Sequence, residues 1–198
     1  MVHMTKISHS HSERRKDIVG AAQAIAAAEG WPAVTVRAIA ARIGCSAPAI
    51  YQYFQDKDAI LAELAAEGSV ALATAMEVAV EPFGGRAKRL RAASQALWDF
   101  ALTNPELYAV MFGAEGLAGR GGSACDVFVP EALKRLAGEI LDKRRSDETA
   151  EDLAARIAAT AHGFISLTLA GTMVGGAERA ATLFQRSLDA LIKGIERH

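Results

Sequence analysis

The sequence predicts an all-α fold, with a small three-helix unit at the N-terminus and a larger helical part behind it. Three observations carry this expectation. Apolar residues recur three and four positions apart through most of the chain, the spacing that keeps one helix face dry. Glycine and proline punctuate those stretches, at Gly30-Trp31-Pro32, Gly44, Pro82-Phe83-Gly84-Gly85 and Asn104-Pro105. No segment needs to be a strand, and there is neither βαβ alternation nor an internal repeat. With 198 residues, 51% of them hydrophobic, a sizeable core can form and disorder is not expected.

Residues 1–11 read as a flexible arm. His3, His9 and His11 lack the further ligands a metal site requires. The first helix is expected from about Ser12 to Glu29, with Ser10 and Glu13 at capping-box spacing and Ile18, Ala22 and Ile25 on one face. Gly30 ends it, Pro32 forbids its continuation, and Trp31 is expected to plug the core. The stretch Thr35–Phe54, TVRAIAARIGCSAPAIYQYF, reads as two short helices around a tight turn. Thr35 caps the first, with Ile39 and Ile43 on its buried face. Gly44 can take the left-handed conformation that ends a helix. Ser46 is expected to cap the second, where Pro48 is tolerated because first-turn amides lack intrahelical partners. Ile50 and Phe54 then bury one face. This is a helix-turn-helix, whose second helix is short enough and lightly charged enough to enter a major groove.

These residues resemble the DNA-binding domain of the TetR family of transcriptional regulators. The likeness runs in family order through roughly Ser12–Leu61. It is carried by Gly30-Trp31, Thr35-Val36-Arg37-Ala38-Ile39-Ala40, Gly44-Cys45-Ser46, Ala49-Ile50-Tyr51, Tyr53-Phe54 and Lys57. The sequence departs from the family pattern at Ala26, where relatives carry a bulky aromatic, and at Cys45, often valine. Both positions stay apolar.

A fourth helix is expected from Asp56-Lys57-Asp58 to about Val80, with its acidic residues where the helix dipole favours them. It would span about 33 Å and link the first unit, residues 12–60, to the second, residues 61–198. Further helices are expected at Arg86–Thr103, Pro105–Phe112, Ala124–Lys143, Ser146–Val174 and Ala177–Ile195. Gly113–Gly122 reads as a loop, because no strand precedes its glycines and no Lys-Ser/Thr pair follows them. Asn104-Pro105-Glu106-Leu107-Tyr108 and Met111-Phe112-Gly113, with His162-Gly163, are similar to the C-terminal domain of a TetR subgroup named for a Trp-His-Gly signature. Ala158 stands where its tryptophan would fall. Ile157–Ala177 carries no formal charge and has the length of a membrane span. Its Thr, Ser, His and Gly content and the lack of a basic flank instead favour a buried helix. There, Gly171 and Gly175, four apart, would allow close approach to a second copy.

The resemblance implies a homodimer formed through the last two helices and bound to pseudo-palindromic double-stranded operator DNA. It further implies a repressor released by a small apolar or amphipathic ligand. Thr35, Arg37, Ser46, Ala47, Pro48, Ala49, Tyr51, Tyr53 and Lys57 are the implied DNA contacts. Hydroxyls and Lys57 suit phosphates, Ala47, Pro48 and Ala49 suit thymine methyls, and Arg37 suits a base edge. Tyr53 would serve equally as a core aromatic. Arg14, Arg15 and Lys16 suit either phosphates or a solvated helix end. Trp98, Met111, Phe112, His162, Phe164 and Met173 are the implied ligand contacts, and all could equally be core. Residues 1–60 hold seven Lys/Arg against five Asp/Glu, hence +2, and the rest fifteen against eighteen, hence −3. That asymmetry is compatible with DNA but would not by itself suggest it.

An enzyme would have to draw on His162, Cys125, Asp126 and Glu131, which share no recognised acid–base, nucleophile or metal spacing. No catalytic residue, cofactor or metal is expected. The two cysteines, Cys45 and Cys125, form no disulfide framework, and the polar, histidine-rich Met1–Ser12 is unlike a signal peptide. A cytoplasmic location and no membrane partner are expected.

Overall fold

The computed structural model describes residues 11–112, 130–141 and 148–196, and within them every regular element is helical. Three helices form the head: α1 (His11–Glu29), α2 (Val36–Arg42) and α3 (Ala47–Ile50), with one 3-10 turn at Trp31–Ala33. Ile18, Ala22 and Ile25 of α1 close on Trp31, Val34, Ile39, Ile50 and Phe54, all buried. Trp31 therefore plugs the core as expected, and Gly30 enters its turn at φ 81°. Helix α1 already includes His11, one residue inside the expected arm, while Ser10 and the rest of that arm lie outside the described residues.

Helix α4 (Lys57–Val80) is one unbroken helix of 24 residues, about 36 Å long. Asp56 caps it, its side chain accepting from the Ala59 amide at 2.8 Å. Ile60, Leu64, Leu72, Met76 and Val80 bury one stripe against the rest of the protein. Gly68 lies on that stripe. A Cβ there would meet Met111 Sδ at 2.6 Å and Leu107 Cδ1 at 2.9 Å, so the missing side chain lets α6 (Pro105–Phe112) cross α4 closely. The same α6 also touches α1 of the head.

The body is built around α5 (Arg86–Thr103), which contacts α4, α6, α7 (Glu131–Ile140) and α8 (Ala150–Leu169). Helix α9 (Gly176–Glu196) packs along α8 and sends Ala180, Phe184, Leu188 and Ile192 into the core at four-residue spacing. Helix α7 begins only after Pro130, whose ψ of 133° is extended, rather than at Ala124. The preceding residues and Gly113–Gly122 lie outside those described.

The expected helix Ser146–Val174 is corrected at both ends. Thr149 opens α8 with a capping box: its hydroxyl oxygen accepts from the Asp152 amide at 3.0 Å, while Asp152 accepts from the Thr149 amide at 3.3 Å. At the other end, the Gly171 amide donates to Thr168 and the Thr172 amide to Leu167, each at 3.0 Å. This is a Schellman ending, with Gly171 left-handed at φ 67°. Gly175 and Gly176 also have positive φ, so Gly171 and Gly175 lie in a turn and do not form a helix-packing pair.

Among the described residues, the helix long and apolar enough to cross a membrane is α4, with mean hydropathy 1.4, rather than Ile157–Ala177. One face of α4 is protein core, and its capped N-terminus belongs to the head.

Candidate nucleic-acid interface and effector-domain cavities

The two helices of the head motif are set by backbone chemistry at each end. Thr35 Oγ1 accepts from the Ala38 amide at 3.1 Å and opens α2. Helix α2 closes as α8 does: Gly44, at φ 68°, donates to Ala41 at 3.3 Å and Cys45 to Ala40 at 2.9 Å. Ser46 departs from expectation, because its side chain caps nothing. The physical reason is local. Pro48, at the second position of α3, has no amide to donate, and the Ala49 amide is taken by the Ser46 carbonyl at 2.9 Å. The Ser46 hydroxyl is thereby left for solvent or a partner.

Helix α3 is a single turn. The chain then continues as a hydrogen-bonded turn, with the Tyr53 and Phe54 amides both donating to the Ile50 carbonyl. Ile50 and Phe54 anchor it, while Ser46, Pro48 and Tyr51 face out, Tyr51 with 56% of its surface exposed. Thr35 and Arg37 of the α2 start are exposed as well, and Ala47 and Ala49 are half-buried. Tyr53 is half-buried with its ring 4.8 Å from His11, and Lys57 Nζ donates to the Trp31 carbonyl at 3.4 Å. Thus five of the nine residues with implied DNA contacts are open to solvent, and four are partly held by the head.

Arg15 is the residue that sequence reasoning misassigned. Its guanidinium donates to the Tyr53 carbonyl and to the Glu63 carboxylate, and its Cζ stands 4.0 Å above the centroid of the Phe54 ring. One side chain from α1 therefore fastens the end of the recognition turn and the start of α4. These contacts span 38 and 48 residues of sequence, so no local signal announces them. Arg14 pairs with Asp17 at 3.7 Å, and Lys16 is exposed.

The six residues with implied ligand contacts fall in four places. Trp98 is buried and stacks on Phe184 at 5.3 Å, with Phe164 tilted against the same ring at 6.5 Å. Met111 is buried over Gly68. Phe112 and His162 gather around Tyr108, whose hydroxyl is 2.9 Å from His162 Nδ1, while Ser166 Oγ lies 3.4 Å from Nε2. Burial lowers the His162 pKa and raises that of Tyr108, which keeps both rings neutral. Between two neutral partners either can donate in this hydrogen bond, the imidazole tautomer deciding which. Leu97, Pro130 and Ala158 close on this cluster and leave no space for a water-sized guest. Met173 stands apart, half-buried in the α8–α9 turn.

A large cavity, about 1160 Å³, opens between α4 and α5, and none of the six lines it. Ala75, Val78 and Phe83 form one wall, Ala92, Ala96 and Phe100 the other, and Gln185 of α9 reaches its edge. Of the conceivable enzyme residues, Glu131 sits exposed at the start of α7, 3.5 Å from Lys134, and Cys125 and Asp126 lie outside the described residues.

Residues 18–64 match the family described as bacterial regulatory proteins, tetR family, and residues 90–191 match the tetracyclin repressor-like C-terminal domain. Among solved structures, the chain is similar to a Rhodococcus protein of unknown function, with 24% identity over 98% of this chain and 99% of that one and a TM-score of 0.76. It is also similar to TetR-family transcriptional regulators from Pectobacterium atrosepticum and Haemophilus influenzae. The first has 17% identity, coverage of 93% and 95%, and a TM-score of 0.72. The second has 19% identity, coverage of 90% and 96%, and a TM-score of 0.65. At these identities the structures establish the fold. No curated protein matches the chain.

Proposed function

The chain belongs to the TetR family of bacterial regulatory proteins, as a DNA-binding transcriptional regulator, and from that premise we propose that it is a homodimeric repressor released from its operator by a small amphipathic molecule. The observation that carries the DNA half is the outward face of the head. Thr35, Arg37, Ser46, Pro48 and Tyr51 are presented together on two turns whose backbone is already satisfied, so a duplex can take their side chains without breaking a cap. Ser46, Thr35 and Tyr51 offer hydroxyls to phosphates, Pro48 and the half-buried Ala47 and Ala49 suit thymine methyls, and Arg37 suits a base edge. Lys57 exchanges the weak Trp31 contact for a phosphate at little cost.

The dimer face is assigned to α8 and α9. Leu167 and Leu169 near the end of α8, with Val174 in the turn beyond, leave much aliphatic surface in water, Val174 76% exposed. Two copies joined by a two-fold axis would set their recognition helices about one DNA turn apart, on a pseudo-palindromic site.

Selection of bound sequences from random DNA, followed by affinity measurements on the winner, tests this reading. Preference for a two-fold symmetric site is expected, with Lys57→Ala weakening specific and non-specific DNA alike and flattening the salt slope by about one unit per half-site. A chain that binds all sequences equally is no operator-specific repressor. The tight Trp98–Phe184 stack favours a second reading, in which the body is structural and no effector exists. Calorimetry decides between them: an effector and the operator must weaken each other's binding by the same factor.

A further inference from the structure

We propose that the trough between α4 and α5 is a binding site for a long-chain carboxylate, with the acyl chain lying along the two helices and the head group held at their connection. The walls are apolar along the trough, from Phe83 at one end to Phe100 at the other. Lys88 and Phe100 are twelve residues apart on α5, a separation of about 18 Å, which an extended chain of roughly fifteen carbon–carbon bonds would cover. Val78 leaves 59% of its surface exposed on this wall and Phe83 leaves 42%, an apolar exposure that an acyl chain would bury.

The two ends differ in charge. A second basin of about 820 Å³ continues the trough around Gly84-Gly85 and shares Phe83, Lys88 and Arg91 with it, adding Arg86. Arg91 is already neutralised by Asp189 at 2.6 Å. Arg86 and Lys88 have no ion-pair partner among the described residues, and the neighbouring Glu81 lines neither cavity. At the far end stands Asp99, which accepts from Gln95 at 2.7 Å and repels an anion. An anionic amphiphile thus has one orientation, with its head at the connection, whereas a cationic head would meet only Asp99, a single carboxylate already engaged by Gln95. A volume of this size whose surface is mostly apolar, with Thr74, Gln95, Thr103 and Asn104 among its polar lining, is of the order that small-molecule sites use.

As a role for the effector this rests on the repressor reading, whereas the binding itself does not. The test is calorimetry of the full chain with hexadecanoate below its self-association concentration, alongside hexanoate and hexadecyltrimethylammonium. One hexadecanoate per chain is expected, with hexanoate and the cation weaker by at least about tenfold. Val78→Asp, at an exposed position the fold does not need, and Ala75→Trp, which fills the trough, should each weaken hexadecanoate by about tenfold or more. Arg86→Glu with Lys88→Glu should reverse the preference between anion and cation. Absence of hexadecanoate binding, or affinity that survives both Val78→Asp and Ala75→Trp, overturns the site. Operator affinity measured on the same variants keeps the two ideas separate. Loss of hexadecanoate with operator binding intact marks the trough alone, and hexadecanoate bound by a chain that ignores operator sequence leaves the site and removes the repressor.

Discussion

Helices α2 and α8 end in the same way, and their surroundings make the two endings do different work. Each puts a left-handed glycine after the last turn, Gly44 and Gly171, and each returns two amides to the final carbonyls. After Gly44 the chain buries part of Cys45 and enters α3 at once, so the turn fixes the direction of a one-turn helix that could not hold itself. After Gly171 four exposed or half-exposed residues follow before Gly176 starts α9, with two more positive-φ glycines among them and that start. The head spends its turn on direction. The body uses its turn to bring two long helices together, and leaves aliphatic surface beside it.

The comparison can be broken most strongly at that aliphatic surface. Leu167→Asp should cost the dimer about 2 kcal/mol or more by sedimentation, while the fold of one chain changes by no more than about 0.5 kcal/mol in denaturant. A variant that stays dimeric takes α8 out of the interface. The two glycines come next. Gly44→Ala and Gly171→Ala should each cost about 1–2 kcal/mol of stability, the strain of a left-handed residue with a Cβ. Only Gly44→Ala should also lose operator affinity at temperatures where the chain is folded. Equal loss from both would mean that the α8–α9 turn positions the heads as well.

Much of the head was legible because its signals are local. Thr35, Gly44 and Asp56 each act within four residues, so their chemistry can be read from a short window. Ser46 shows the limit even there, since Pro48 and a backbone carbonyl removed the amides it was expected to cap. In the body, Gly171 and Gly175 imitate a helix-packing pair, no proline marks the turn, and the first charges, Glu178 and Arg179, come only after α9 has begun. The trough was not legible at all. It depends on which residues of α4 and α5 the packing leaves uncovered, and periodicity alone does not choose among Val70, Ala75 and Val78.

Arg15 gives a smaller effect that sharpens the account of the head. Arg15→Met keeps the stem over Phe54 and removes the charge. About 1 kcal/mol of stability should go, because the guanidinium is one third exposed and solvent screens the pair. The informative readout is discrimination between operator and random DNA, which should fall while non-specific affinity stays unchanged. Arg15→Lys should restore it only in part, since an ammonium cannot fork between Tyr53 and Glu63. Unchanged discrimination in Arg15→Met would reduce Arg15 to a packing residue.

The smallest effect concerns acid. Burial lowers the His162 pKa below its ordinary 6.5, so the unfolded chain takes up the proton first. Stability should therefore fall as pH drops below about 6.5 and level off beneath the folded pKa. Thermal melts of His162→Gln across this range should show a flatter dependence. An identical slope would place the acid sensitivity elsewhere.

Helix α4 runs without a break from Asp56, beside the recognition turn, to Val80, beside the trough. Mechanically it is a lever with its fulcrum near Gly68, where α6 bears on it with no side chain between. A tilt of about 5° about that point would sweep the Asp56 end, about 18 Å away, through an arc of about 1.5 Å. Base pairs along a duplex are spaced about 3.4 Å apart, so a rotation of a few degrees would shift each reading head by nearly half a base pair, and two heads moving oppositely by nearly a whole one.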